Sequence, residues 1–212
     1  RRDPPEHRMW VKGRNHNHAE FRVMTAEEVY GKSVRYQASV GWVGDDNPTV
    51  VLPGFDQPRG RWTKKIADRS IAAEDWAAFM GYYLSEGSSD YNRGSYRISI
   101  AQRSGKKKRK MLADISRMGF KVSESKRALT ICSEQLYRSV CDIGHTAEKR
   151  VPREILGWSP RLLRIFHEAF RLGDGDNEGR LYTSSLGLRD DLTEVILKCG
   201  WATKHRLRMP VG

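Results

Sequence analysis

Cysteine is scarce in this chain: Cys132, Cys141 and Cys199 are the whole complement, odd in number and without a Cys-x-x-Cys or Cys/His ligand spacing. That argues against a disulfide framework and a structural zinc, and the thiols read as reduced and mostly buried. Long apolar runs are missing as well. Charges interrupt the apolar stretches well short of the ~20 residues that a membrane-spanning helix needs, and no apolar leader opens the chain. The expectation is an intracellular, cytoplasmic protein with no membrane partner. Acidic residues are the third deficit, with 26 Asp plus Glu against 38 Lys plus Arg, a net charge of +12 and a pI near 9.8. The natural partner of such a surplus is a polyanion, nucleic acid first. His7, His16 and His18 fall in a polar stretch and read as solvated side chains, with metal binding the lesser alternative.

The texture of the sequence divides it. Residues 1–70 hold short β-like runs at 8–11, 21–24, 34–43 and 49–52, separated by Gly, Asp, Asn and Pro turns. Beyond them helices alternate with strands. One helix, at 73–85, carries Ala77, Met80, Gly81 and Leu84 on one face and stops at Glu86-Gly87. Another opens with Ser159-Pro160, an N-cap and a first-turn proline, and runs to Asp174-Gly175.

The segments C-terminal to the two helices are alike: a turn, a strand (96–102; 181–185), an amphipathic helix ending at Met118-Gly119 or Cys199-Gly200, and a basic strand (120–125; 201–207). The chain therefore reads as a duplication, 71–158 and 159–212, preceded by a β-rich segment. The first copy continues through a strand at 129–131, whereas the second stops at Gly212.

A carboxylate at a helix C-terminus lies at the negative end of the helix dipole, unfavourable by about 0.3–1 kcal/mol. Taken singly, Glu-Gly and Asp-Gly are ordinary helix-ending sequences; the repetition is what points to chemistry. Two such helices packed side by side bring Glu86 and Asp174 to one point, where a hard divalent cation with oxygen ligands relieves the repulsion. Magnesium fits, with manganese as its substitute. Ala77 and Gly81, facing Ala169 and Gly173, supply the small residues a close crossing needs. A metal there, bridging a phosphate, points to phosphodiester hydrolysis.

The segments 79–87 (Phe-Met-Gly-Tyr-Tyr-Leu-Ser-Glu-Gly) and 167–175 (His-Glu-Ala-Phe-Arg-Leu-Gly-Asp-Gly) resemble the paired motifs of LAGLIDADG homing endonucleases of the intein-encoded type. Lys149-Arg150-Val151-Pro152 is similar to the Lys-x-Ile-Pro block of those proteins, and the stretch from Thr183-Ser184-Ser185 to Gly200 to their later block. The resemblance implies an α+β fold, a pseudo-twofold duplicated αββαββα unit acting as a monomer. It implies that Glu86 and Asp174 bind the metals, with the carbonyls of Gly87 and Gly175 as helpers. It also implies that Lys149 lies near the scissile phosphate and that Gln102 orders water, with Thr183 or Ser184 as its counterpart.

Residues 5–11 and 23–28 look like part of an intein splicing domain. The terminal nucleophile and the closing His-Asn of such domains are not found, so splicing by this polypeptide is not expected. A scaffold of this kind that binds DNA without cutting it is the other open reading.

Strand parity places Arg97, Ser99 and Arg103 opposite Tyr96, Ile98 and Ile100, with Gln102 on the latter, inward side. From 101 to 130 there are ten Lys or Arg against two acids, among them the run 106–110, while Lys121 and Ser123 alternate with Val122. Double-stranded DNA is the expected partner. Arg97, Ser99, Arg103, Lys107, Lys121, Ser123, Lys126 and Arg127 would contact it from the first half, and Tyr182, Ser184, Lys204 and Arg206 from the second, on two saddle-like sheets. The run 106–110 alone reads equally well as a solvated loop.

Overall fold

The structure is a computed structural model that describes residues 5–14, 20–37, 41–103, 105–144, 146–204 and 206. Near the N-terminus, β1 (Arg8–Gly13), β2 (Arg22–Thr25) and β3 (Val34–Tyr36) form an antiparallel sheet in the order β2-β1-β3. Between the last two lies the single-turn α1 (Ala26–Val29), closed by reciprocal hydrogen bonds between Thr25 and Glu28. Val11 and Val29 are buried in this part but do not belong to the main core. Of the expected run 34–43 only Val34–Tyr36 is strand, and 38–40 lie outside the described residues, as do His16 and His18.

The change of texture at residue 70 is not a packing boundary. β4 (Val50–Leu52) pairs with β7 (Arg69–Ile71), and between them β5 (Phe55–Arg59) and β6 (Trp62–Ile66) make a hairpin that the residue pattern does not announce. Leu52 and Ile71 lie in the main core, Trp42 donates to the carbonyl of Trp158 at 2.8 Å, and Asp45 bridges Trp158. The segment from 42 onward is thus part of the body built by the rest of the chain.

That body runs α2 (Ala73–Glu86), β8 (Gly87–Asn92), β9 (Ser95–Ala101), α3 (Gly105–Arg117), β10 (Val122–Glu124), β11 (Ala128–Cys132), α4 (Glu134–Val140), a 3-10 turn (Cys141–Ile143), α5 (Arg153–Leu156), α6 (Pro160–Asp174) and α7 (Leu186–Lys198). The strands form one antiparallel sheet, order β10-β11-β9-β8, so the protein is of the α+β class. Ile98, Ile100, Leu129 and Ile131 turn inward and are buried. The β8–β9 turn has positive φ at both Arg93 (48°) and Gly94 (82°), the hand that matches strand twist. Among the described residues no helix is long and apolar enough to cross a membrane.

Three expectations need correction. The basic run 106–110 is the first half of α3 and not a loop: Lys108 is 6% exposed, donates to the carbonyl of Ser125 and pairs with Glu124 at 3.4 Å. Residues 181–185 form no strand, only an isolated bridge between Gly175 and Leu181. Residues 201–204 and 206 are not in a strand either; 205 and 207–212 lie outside the described residues. In the first half β9 is paired on both sides. The described residues of the second half offer no equivalent of β11, and a lone pair of strands is marginal in water.

α2 is buried almost all round and crosses α6 closely. α6 starts where Ser159 caps its first turn ahead of Pro160. At the crossing, a β-carbon on Gly81 would lie 2.5 Å from the carbonyl oxygen of Phe166 and 2.6 Å from the Cβ of Ala169. The neighbours are mostly backbone and cannot yield. Gly81→Ala should therefore destabilise the protein, since overpacking costs about 1–3 kcal/mol against the ~1 kcal/mol that alanine gains over glycine in a helix. Denaturant unfolding measures this; stability unchanged or raised would contradict the tight crossing.

Candidate active site

The two helices end in the same way. Gly87 (φ −87°, ψ 151°) and Gly175 (φ −107°, ψ 156°) are both extended, and each N–H donates to the carbonyl four residues back, Tyr83 or Arg171. Neither position needs glycine for a left-handed backbone. Each needs it for closeness, because a β-carbon would strike the preceding turn: the Tyr83 carbonyl oxygen at 2.5 Å in one helix, the Arg171 carbonyl oxygen in the other.

These ends meet. A β-carbon on Gly173 would collide with Ser85 Oγ and lie 2.9 Å from Glu86 Cγ, so the Glu86 side chain runs over the residue that precedes Asp174. Both acids are half-buried, and among the described residues neither carboxylate has a hydrogen-bond or salt-bridge partner. Burial first, and Glu86 second, push the Asp174 carboxyl up to about 6, with Lys149 opposing.

Lys149 is 7% exposed and reaches the same place. Its ammonium donates to the carbonyls of Tyr83 (2.9 Å), Leu84 (3.2 Å) and Gly87 (2.7 Å) at the end of α2, where the helix leaves carbonyls short of intrahelical donors. Burial holds its pKa below the ordinary lysine value, and Asp174 and Glu86 partly restore it. All three ammonium donors are engaged, so Lys149 caps the helix, and the Gly87 carbonyl is among its acceptors. The end of α2 thereby has a cation. Lys149 also acts on Asp174, more than on Glu86, but burial and the Glu86 charge outweigh it there.

The clamp behind Lys149 was not legible in the sequence. Ser185 caps α7 and donates through Oγ to the Lys149 carbonyl at 2.9 Å. Asp191, 3% exposed, accepts from the Val151 N–H at 3.0 Å and from Arg150 at 2.7 and 2.6 Å. Ser185 had a readable signal, a serine ahead of an apolar helix, and Asp191 falls with it in the stretch 183–200 already singled out, but nothing in the sequence tied either to Lys149.

Strand register places the other residues. Gly87 faces Ile100, so Gln102, half-buried, comes just past the end of α2; its N–H donates to the Arg127 carbonyl at 2.9 Å. On the outer face, Ser123, Thr130, Ser99 and Ser88 make one row across the sheet, and Cys132, Arg97 and Asp90 the next. Arg97, Arg103, Lys121, Lys126 and Arg127 are exposed, and Lys107 is half-buried on α3. In the second half Tyr182, Ser184, Lys204 and Arg206 are exposed but on no strand, and Tyr182 donates to Asp176 at 2.9 Å.

Among the described residues no group of three or more His, Cys, Asp or Glu forms a ready-made metal cage. Two carboxylates at one point still fit magnesium, which keeps several waters and takes one or two carboxylates together with substrate phosphate. No protein-family model matches the chain, and no curated protein matches it.

The carboxylate pair yields two predictions. In folded protein Asp174 titrates near 6, against 3.8 ordinarily, so its contribution to stability is full below the unfolded value and lost as the pH rises through about 6. Metal-free Asp174→Asn should then melt above the native chain at pH ~7.5, the margin closing toward pH ~4; a lower melting point at pH ~7.5 would contradict the burial of this charge. Lys149→Met should raise the Asp174 midpoint above about 6, read by carboxyl-carbon NMR. An unmoved midpoint would separate the two groups.

Proposed function

We propose that the chain is a site-specific double-stranded DNA endonuclease of the LAGLIDADG homing type, acting as a monomer with Mg2+ or Mn2+ and working inside the cell. The observation that carries the reading is the carboxylate pair where α2 and α6 cross, with Asp174 half-buried and raised to about 6 by burial and by Glu86. Glu86 and Asp174 would hold the metal. Bound there, it supplies positive charge to the phosphate and lowers the pKa of a water. The order α2-β8-β9-α3-β10-β11-α4 agrees with one αββαββα unit of the family, and α6 and α7 with parts of a second.

The chain's own residues do the rest. Lys149 holds the end of α2 and moderates the charge of the two acids, so that Asp174 can shed its proton near neutrality. Gln102, just past the end of α2, would order a water beside the helix end. Arg97, Ser99 and Ser123, on the outer face of the sheet, would enter a major groove, while Arg103, Lys121, Lys126 and Arg127 flank them. Phosphate contacts there neutralise the duplex with part of the +12 net charge.

A second reading, a DNA-binding scaffold that does not cut, is favoured by one observation: the described residues of the second half form no sheet to grip the other half-site. One experiment separates the two. A randomised duplex library is incubated with the chain and Mg2+, and the ends are sequenced. The endonuclease reading expects cleavage at a recurrent site, with Glu86→Gln and Asp174→Asn losing nicking by at least a hundredfold and keeping affinity, a drop of ~3 kcal/mol in transition-state stabilisation. Tight binding without cleavage by the native chain selects the scaffold; loss of binding and nicking together in both variants overturns the site.

A further inference from the structure

The hairpin β5–β6 is the part of the body that the site leaves unused. Its register pairs Phe55 with Ile66, Gln57 with Lys64 and Arg59 with Trp62 around a two-residue turn in which Gly60 has φ +61°. The base is fixed to α4. Gln135 donates to the carbonyls of Leu52, Pro53 and Ala67, Glu134 takes Gln57 at 2.6 Å, and the Arg138 guanidinium lies 4.3 Å from the centre of the Phe55 ring.

Beyond Gln57 the hairpin continues two residues further, roughly 7 Å of strand, past the N-terminus of α4. There Trp62 is 82% exposed, an unusual place for the largest apolar side chain. Near it Arg61 and Lys64 are exposed and, like Lys65, make no ion pair among the described residues; Lys65 lies toward the base, opposite Asp56, the one acid in 55–66, and alternates to the other face from Trp62. An apolar ring beside three exposed cations is not a surface that solubility requires.

The same turn of α4 fixes where this tip lies. Tyr137 packs against Tyr96 at 5.2 Å, and Tyr96 immediately precedes Arg97 on the outer face of β9. Cys132, which ends β11, pairs with Arg97, and α4 starts two residues later. The hairpin base and the Tyr96–Arg97 end of the sheet are therefore both held by α4, away from the carboxylates, and the tip extends beyond that base.

We propose that the β5–β6 tip is a second DNA-contacting element, which reaches past the sheet onto duplex flanking the recognised half-site. Arg61, Lys64 and Lys65 meet phosphates there, and Trp62 lies against sugar or an unstacked base step. This rests on the reading of the chain as a duplex-DNA binder. An apolar wedge flanked by cations is a common way to hold a minor groove. Cations and ring make separable contributions: each phosphate contact adds about 0.9 to the slope of log affinity against log salt, whereas ring contact is nearly independent of salt.

The test compares native chain, the triple variant Arg61→Ala/Lys64→Ala/Lys65→Ala and Trp62→Ala. Each is bound to the selected duplex with and without ~10 extra base pairs on the side of the first half, with hydroxyl-radical footprinting. The native chain should gain about tenfold in affinity from the extension and protect it. The triple variant should lose most of that gain, with a salt slope smaller by about 2–3, and Trp62→Ala should lose part of it at unchanged slope. Thermal unfolding of each variant checks that the exposed tip can be altered without unfolding the chain. A native footprint that stops at the sheet, or variants that keep the whole gain, would overturn the hairpin proposal alone. No duplex binding by the native chain would overturn the functional reading beneath it.

Discussion

The structure depends on how closely α2 and α6 approach. Gly81 against the Phe166 carbonyl and Ala169, and Gly173 against Ser85 and Glu86, bring two backbones together where any larger side chain would force them apart. Because the helices cross near their C-terminal ends, two carboxylates and two sets of orphan carbonyls are forced into one small volume. Hydrophobic burial along the crossing, with Phe79, Met80, Phe166 and Phe170 fully buried, outweighs the electrostatic cost. That cost remains visible in Asp174.

Lys149 supplies counter-charge at the crossing, bonded to the end of α2 and acting on Asp174 as well as Glu86, and it is held from behind by Ser185 and Asp191 on α7. The second half of the chain thus maintains the first half's helix end, although among its described residues it builds no sheet. Asp114, 6% exposed, does similar work between α2 and α3, accepting from Tyr82 at 2.5 Å, Lys110 at 3.1 Å and Arg117 at 3.0 Å. A run of five cations at the start of a helix opposes the dipole. Asp114 and Glu124 offset part of that at Lys110 and Lys108; the exposed remainder faces solvent.

The features legible in the sequence were local. Ser159-Pro160 and the acid-glycine ends announced both central helices, Met118-Gly119 and Cys199-Gly200 announced left-handed caps (φ +74° and +85° at the glycines), and alternation in β9 sorted Ile98 and Ile100 from Arg97 and Ser99. The features that stayed hidden were non-local. A buried lysine contradicts the usual habit of that side chain, and only the fold reveals the three carbonyls that receive Lys149. The stretch 62–66, Trp-Thr-Lys-Lys-Ile, shows no clear alternation, so nothing in it announces a hairpin. The strands expected at 181–185 and 201–207 had suitable residues, but a strand exists only with partners, and 181–185, 201–204 and 206 are in none.

A paramagnetic ion tests the central claim most directly. Mn2+ added to the chain in the presence of duplex DNA should broaden the amide signals of Glu86, Gly87, Gly173, Asp174 and Gly175 first and together, leaving the β1–β3 sheet untouched. Broadening that begins elsewhere, or that reaches one helix end and not the other, would contradict a shared cation site at the crossing.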